Sequence, residues 1–534
     1  MLILIPIILL LFFAGGINLL VGRYKLSLGS TWLIAAASVL IVWISIIIFR
    51  FVLPGGASIS NWSPQGISTD TLVFNLSERT WIFAFLLTSL LVGVIFTDTV
   101  RFGQSNNLVT WVGSMILTAV GLLAIYSQTF LAVIITWTII DIVEFGILIK
   151  VTDQPKIHNA VVIEFFTRII GTFLVMAALI FSNFHTAIVE SSQYTSGVYL
   201  LILVGATLRL GVFPLHIPLT SSLPIRRSLG TILRFVAPIS VVAFLTQIQP
   251  QQQYATLTNV MYAIALIVGF YGAIKWVSAK NELSGRPFWM LSFSGLILIR
   301  FLLGQVEGAI GLSIIMVIAG GFIFLYSYSS KVGTIAALFL AISLVGLPFT
   351  PTAPIWGFVG NSQNWLLFLV VFITYNLLFL GFIKHVFRQR DQSSLKESWM
   401  QLFYTAGLVL LSISPWIILI WRLSIIKSEF NLSAPIGCLI IITIMVVIMR
   451  RRIWDLLIQK QPAQRLLVPF KLAGKILNSI FQFEWFFALL RRLFDFFARP
   501  LKFFANLLEG DGGLLWAFVF LALISSVLVG EILP

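Results

Sequence analysis

Apolar runs of roughly 20 residues, about sixteen in all, constrain this chain more than any single motif does, because a helix of that length crosses the hydrocarbon core of a bilayer. They lie at about 2–21, 32–53, 81–97, 108–127, 129–150, 160–182, 195–214, 229–247, 258–279, 288–304, 308–329, 332–349, 363–387, 401–421, 434–450 and 514–533. The connections are short, so no large domain is expected outside the membrane. Composition excludes the soluble alternative: 59% of the 534 residues are hydrophobic and 10% are charged, which is not the balance of a soluble globular domain. The reading is an all-α polytopic membrane protein of about sixteen transmembrane helices.

Numbered alternately, the connections separate by charge. Arg23 and Lys25, Lys150 and Lys156, Arg226 and Arg227, Lys280 and Arg286, Arg388 and Arg390, and Arg450 to Arg452 fall on one side, whereas 249–253 and 350–363 on the other carry almost no basic charge. The positive-inside rule puts the basic loops in the cytoplasm and both termini outside, in what is expected to be a bacterial cytoplasmic (inner) membrane. The net charge of +15 is accordingly read as topology signal and lipid-headgroup contact, with no nucleic-acid partner. The polar connection 54–79, with Gly, Ser, Asn and Pro, is expected outside. The single cysteine, Cys438, lies within an apolar run, so no disulfide framework, Cys-rich metal site or iron–sulfur motif is expected. The first run lacks a basic leader and a small-residue cleavage site and is not read as a cleaved signal.

One run departs from the pattern. Between Leu203 and Pro218 it carries Arg209 in its middle, then Pro214, His216 and Pro218 before the crossing is complete. An ionised side chain at that depth costs about 2.5–3.5 kcal/mol on insertion scales, and proline removes a backbone donor that lipid cannot replace. The stretch is therefore expected to be enclosed by other helices. Buried charges are normally paired, and the fifth run supplies Asp141 and Glu144, which lie on one helix face with Thr138. Asp141 is read as the partner of Arg209, and Glu144 and Lys150, nearer the helix end, as interfacial. Glu164 and Arg168, four apart on the sixth helix, are expected to pair locally. Lys384 and His385 close the thirteenth helix at its edge, where Lys384 can snorkel, and Arg300 and Glu307 flank the short turn after the tenth.

The same stretch carries a resemblance. With Arg209 five residues before Pro214-Leu215-His216, and Pro218 beyond, it resembles the broken seventh helix of the antiporter-like membrane subunits shared by respiratory complex I, Mrp sodium/proton antiporters, membrane-bound hydrogenases and inorganic-carbon uptake complexes. In that family the segment reads Ala-Lys-x-x-x-x-Pro-Leu-His-x-Trp-Leu-Pro, so Arg209 stands at the lysine position. Gly346-Leu347-Pro348 is similar to the family's Gly-x-Pro break in the twelfth helix. The segment 464–508, where aromatic and aliphatic residues alternate with Lys471, Lys475, Arg491, Arg492, Arg499 and Lys502, resembles the lateral amphipathic segment before the last span of L-type subunits, those like chain 5 of NADH-quinone oxidoreductase. The resemblance implies N-terminal helices at 1–107 and an antiporter-like core of two inverted helix repeats at 108–400, with helices 7 and 12 broken. It further implies C-terminal helices at 401–463, the lateral segment, and a final transmembrane anchor at 509–534. The partners it implies are lipids and the other membrane subunits of a complex I-like, Mrp-like or carbon-uptake-like assembly.

In the family a glutamate on the fifth helix faces the lysine on the seventh, and the pair loads and releases protons. Carried over, this makes Asp141, Glu144, Arg209 and His216, with Arg234 on the eighth helix, the expected proton or ion pathway, and Pro214, Pro218, Gly346 and Pro348 the expected helix breaks. Two departures count against translocation. A guanidinium, with a pKa above about 12, practically never gives up its proton, and the twelfth helix has no lysine or glutamate after its break, where Thr350-Pro351-Thr352-Ala353-Pro354-Ile355-Trp356 follows. No phosphate-binding glycine loop, metal-ligand cluster or nucleophile with a nearby base is present, so neither a cofactor nor a redox site of its own is expected. Three functions stay open: a membrane subunit contributing to proton or cation translocation coupled to a partner, a non-pumping structural subunit with a degenerate channel, and an unrelated secondary transporter with broken helices at its midplane.

Overall fold

The computed structural model describes residues 2–24, 27–59, 72–102, 107–151, 155–182, 194–212, 225–250, 255–360, 365–388, 397–427 and 433–450, together with 492, 518–519 and 521–522. The chain divides into two compact units, 1–460 and 461–534, and the architecture that follows is that of the first. The lateral segment and the final anchor expected from the sequence lie outside the described residues, apart from those isolated positions.

Fifteen α-helices follow one another in the described residues: α1 (Ile5–Tyr24), α2 (Leu28–Phe49), α3 (Glu78–Thr97), α4 (Asn107–Tyr126), α5 (Phe130–Val151), α6 (Pro155–Phe181), α7 (Ser196–Leu210), α8 (Arg227–Gln247), α9 (Ala255–Ser278), α10 (Glu282–Leu302), α11 (Val306–Leu325), α12 (Lys331–Val345), α13 (Trp365–Val386), α14 (Ser398–Lys427) and α15 (Ser433–Arg450). Each coincides with one of the first fifteen apolar runs. Eleven are long and apolar enough to cross a membrane, and the protein is an all-α polytopic membrane protein. Several starts are fixed by local chemistry. Ser77 and Thr80 form a capping box at α3, as do Asn281 and Ser284 at α10, and Ser27 and Ser330 cap α2 and α12.

The connection 54–79 is more structured than the sequence reading allowed. Residues Gly55–Ile59 (β1) pair antiparallel with Leu72–Leu76 (β2), with Gly55 opposite Leu76 and Ile59 opposite Leu72. The hairpin is held by burial of Ala57, Phe74 and Leu76, and by a hydrogen bond from the Gln128 N–H to the Val73 carbonyl in the α4–α5 turn. Strands of five residues without a regular polar alternation give hydropathy nothing to detect.

At the centre of the bundle α3 and α11 are buried over their whole apolar length and α8 over nearly all of it, while α1 turns most of its surface outward. Inside a membrane, helices gain little from excluding water, so close approach depends on small residues. Gly171 of α6 and Gly205 of α7 meet backbone to backbone: a Cβ on Gly171 would lie 2.8 Å from the Gly205 carbonyl oxygen, and one on Gly205 2.7 Å from that of Gly171. The same device brings α9 against α10, where a Cβ on Gly295 would lie 2.7 Å from the Ala265 carbonyl oxygen.

Both short helices end on a left-handed glycine. Gly211 (φ 73°) closes α7, with its N–H donating to the Leu208 carbonyl and that of Val212 to Thr207, a termination that glycine adopts without steric cost. Pro214, His216 and Pro218, which follow it, lie outside the described residues. Gly346 (φ 72°) closes α12, Pro348 and Phe349 (φ 63°) turn the chain, and a 3-10 helix at Ala353–Gly360 follows. Three carbonyls at this break accept from uncharged donors: that of Ser343 from Thr352 Oγ1, that of Leu344 from Tyr375 Oη at 2.5 Å, and that of Val345 from Trp356 Nε1 at 2.9 Å. Arg300, wholly buried, donates to the Ile355 carbonyl beside them and to Gln305 Oε1 at 2.6 Å, while Glu307 pairs with Arg422 of α14. Arg300 and Glu307 flank the turn between α10 and α11 as expected, and Arg300 in addition braces the 3-10 helix after the break.

Candidate functional site within the membrane

Positions 137, 141 and 144 of α5 fall on one face, as do 164, 168 and 172 of α6, because residues three or four apart stack along a helix. These two faces meet, and α7 lays Arg209 between them. The guanidinium of Arg209 holds Asp141 with both of its terminal nitrogens, Nη1 to Oδ2 at 2.6 Å and Nη2 to Oδ1 at 2.9 Å, and neither side chain has any solvent exposure. Nη1 also donates to Thr172 Oγ1 at 2.7 Å and to the Arg168 carbonyl at 3.1 Å. The indole ring of Trp137 lies 4.6 Å from the guanidinium carbon, near enough for a cation–π contact. Gly171 makes room for the arginine stem, since a Cβ there would lie 2.9 Å from Arg209 Cγ.

Next along the same faces, Arg168 carries two carboxylates. It contacts Glu144 Oε2 through Nη1 and donates to Glu164 Oε1 at 2.6 Å through Nη2. The local pairing of Glu164 with Arg168 is present, but Arg168 does more than the sequence reading gave it, because it also holds Glu144. Glu144 is buried in the bundle and tied to α6. Spacing along α5 placed Glu144 toward the helix end; the packing of α6 across that end encloses it. Oε1 of Glu144 and Oε2 of Glu164 have no hydrogen-bond partner.

Arg234 of α8 is partly buried and reaches the same region. With Glu164, Arg168, Arg209 and Gly211 it lines a cavity of about 70 Å³, to which Pro238 of α8 and Pro287 and Met290 of α10 also contribute. A second cavity, of about 10 Å³, lies between α5 and α6 at Asp141, Glu144, Glu164 and Arg168. Pro238 has no N–H to offer the Arg234 carbonyl one turn earlier, so a helix bond is missing beside the larger cavity. That cavity is polar and has room for more than one water molecule, which needs roughly 10–15 Å³ of such space. Of the five expected pathway residues, the structure brings together Asp141, Glu144, Arg209 and Arg234; His216 lies outside the described residues.

A second buried network went unread in the sequence. Asp98, just past the end of α3, accepts from Arg226 Nε at 3.0 Å and Nη2 at 2.7 Å, from Trp111 Nε1 at 2.7 Å and from Ser228 Oγ at 2.5 Å. Arg226 also contacts Asn107 Oδ1 and donates to the Arg101 carbonyl at 2.8 Å. Arg226 was read as a loop charge, and it is instead the buried anchor from which α8 starts. At the end of α13, Lys384 donates to the Val277 and Ala279 carbonyls at 2.6 and 3.1 Å, while His385 is buried against Trp276. Both side chains cap α9 as well as closing their own helix.

No protein-family model and no curated protein sequence matches the chain. Solved structures do. A chain of the Mrp complex from Dietzia sp. DQ12-45-1b superposes over 100% of this chain and 63% of its own length, with a TM-score of 0.72 and 12% identity. A chain of the membrane-bound sulfane sulfur reductase, an archaeal respiratory membrane complex, matches over 98% of this chain and 99% of its own, with a TM-score of 0.64 and 16% identity. A chain of respiratory complex I from Thermus thermophilus covers 78% of this chain and 98% of its own, with a TM-score of 0.58 and 14% identity. The fold is the one these three membrane-complex chains have. This chain spans less than two thirds of the length of the Mrp-complex chain it matches. Within this fold Arg209 is held between α5 and α6, paired with an aspartate in place of the glutamate that the resemblance implied.

Proposed function

We propose that this chain is an integral-membrane subunit of a multi-subunit complex, and that it acts as a membrane platform whose own ion route is held closed by the Asp141–Arg209 pair. That pair carries the reading. A lysine in such a place can be brought to release its proton, but a guanidinium keeps its charge, and here four hydrogen bonds and an indole face fix it. The uncharged caps on the α12 break support the same reading, because a proton relay there needs a group that titrates. The likeness to chains of three membrane complexes supports the subunit role.

Translocation of protons is the second reading. It is favoured by the unpartnered carboxylate oxygens of Glu144 and Glu164 and by the polar cavity beside Glu164, which together give a proton somewhere to reside. Gentle solubilisation from the native membrane followed by mass spectrometry tests the subunit role, with other membrane subunits expected alongside the chain; isolation alone sinks it. Proton flux through the recovered assembly in liposomes separates the two readings. The platform predicts equal flux in the wild type and in Glu164→Gln, whereas a drop in Glu164→Gln assigns translocation.

A further inference from the structure

The turn between α9 and α10 gathers more positive charge than its one carboxylate can answer. Glu282, in the first turn of α10, accepts from Arg227 Nη1 of α8 at 2.9 Å and lies 3.8 Å from Nη1 of Arg388, just past the end of α13. The Arg388 side chain is 48% exposed. Lys384, one turn before it, reaches the same connection and donates to the Val277 and Ala279 carbonyls at 2.6 and 3.1 Å. Those carbonyls satisfy its N–H groups and leave its charge in place, and the charge of Arg388 acts on it. Lys280, within the turn, is exposed. Among the described residues the carboxylate at this turn is shared by two arginines and is nearer to Arg227, so Arg388, Lys384 and Lys280 keep a net positive charge at the edge of the bundle.

Next to these charges an apolar surface begins. Helix α9 is fastened to α13, where Trp276 Nε1 donates to the Leu378 carbonyl at 3.1 Å, and it turns Val260, Ile267 and Ile274 outward. Seven residues apart, these three share one helix face. Their stripe ends one turn before α9 does and runs roughly 21 Å along the helix, longer than the roughly 15 Å of hydrocarbon in one leaflet. Cations at the head of such a stripe match a ligand that carries an anion and a hydrocarbon chain in one molecule, whereas a free phosphate would use the cations alone. We propose that the α9–α10 turn and the end of α13 form a binding site for an anionic phospholipid, its phosphodiester held by Arg388, Lys384 and Lys280 and an acyl chain lying along the stripe from Ile274 to Val260. This site does not depend on whether the chain carries protons.

The test is native mass spectrometry of the full chain in mild detergent, titrated with dioleoyl phosphatidylglycerol or dioleoyl phosphatidylcholine. Tighter binding of the phosphatidylglycerol is expected, and glycerol 3-phosphate, a headgroup without chains, is expected not to displace it. Arg388→Gln and Lys280→Gln, at positions exposed enough to spare the fold, should each weaken binding about fivefold, the effect of one basic residue near an anionic surface. Arg23→Gln removes a charge from an exposed position of α1, at the end that the charge alternation puts on the same side, and should leave binding unchanged. Equal affinity for the two lipids assigns these charges to another partner and overturns the site. Displacement by glycerol 3-phosphate, full binding in the Arg388→Gln, Lys280→Gln double variant, or equal weakening in Arg23→Gln overturns it too.

Discussion

At position 209 the choice of guanidinium over ammonium decides what the site can do. Its planar fork matches the two oxygens of Asp141, and a lysine offers no such bidentate contact. Removing one partner leaves the other charged in a dry interior, which costs about 3–5 kcal/mol, while replacing both by apolar groups is often close to neutral. Asp141→Asn is therefore expected to destabilise the protein by that amount, and Asp141→Leu combined with Arg209→Met by far less, as measured by thermal unfolding in detergent. Equal losses in the two variants would mean that the pair is not a coupled unit. Sequence spacing made Asp141 the partner of Arg209, because buried charges need opposite neighbours on a facing helix. It said nothing of Thr172 and Trp137 as further contacts, since three helices must be packed before those side chains share a point.

Among the elements, α6 and α7 show how backbone approach sets the chemistry. Gly171 and Gly205 let the two helices touch, and that distance is what allows Arg209 to reach both Asp141 and Thr172. Gly205→Val must push the helices apart. A loss of about 1–3 kcal/mol is expected for such overpacking, and Arg209→Met should then cost less in the Gly205→Val background than in the wild type, because its contacts are already broken. Additive losses would disconnect the packing from the ion pair. The break in α12 depends on different physics. Its left-handed glycine frees carbonyls that lipid cannot satisfy, and Trp356 Nε1 answers that of Val345. Trp356→Phe keeps an aromatic ring but removes the indole N–H and some buried volume, so a loss of at least about 1–3 kcal/mol is expected in the same unfolding assay; no loss would show that another donor moves in. The Gly-Leu-Pro break itself was legible as a motif, whereas the uncharged donors around it come from α13 and the following 3-10 helix and became apparent only in the fold.

Over the whole molecule, charge alternation and packing make separate statements. The positive-inside reading of that alternation predicts that Lys280→Cys is reached only by a permeant maleimide in intact cells, and Gln249→Cys by an impermeant one as well. The native Cys438 is buried and adds little background. The reverse labelling pattern would invert the orientation. By itself the sequence determined the helices: among the described residues the first fifteen apolar runs are fifteen helices, because bilayer thickness fixes their length and lipid obliges each segment to satisfy its own backbone. It also determined that Arg209 must be enclosed and paired, since the cost of a charge at that depth leaves no alternative. Only the tertiary structure decided which charges meet. Asp98 and Arg226 are 128 residues apart in the chain, and Arg168 serves carboxylates from two helices. Hydropathy fixes where a helix runs, but the rotation that aims its polar face is set by contacts with neighbours far away in sequence, which no local pattern encodes.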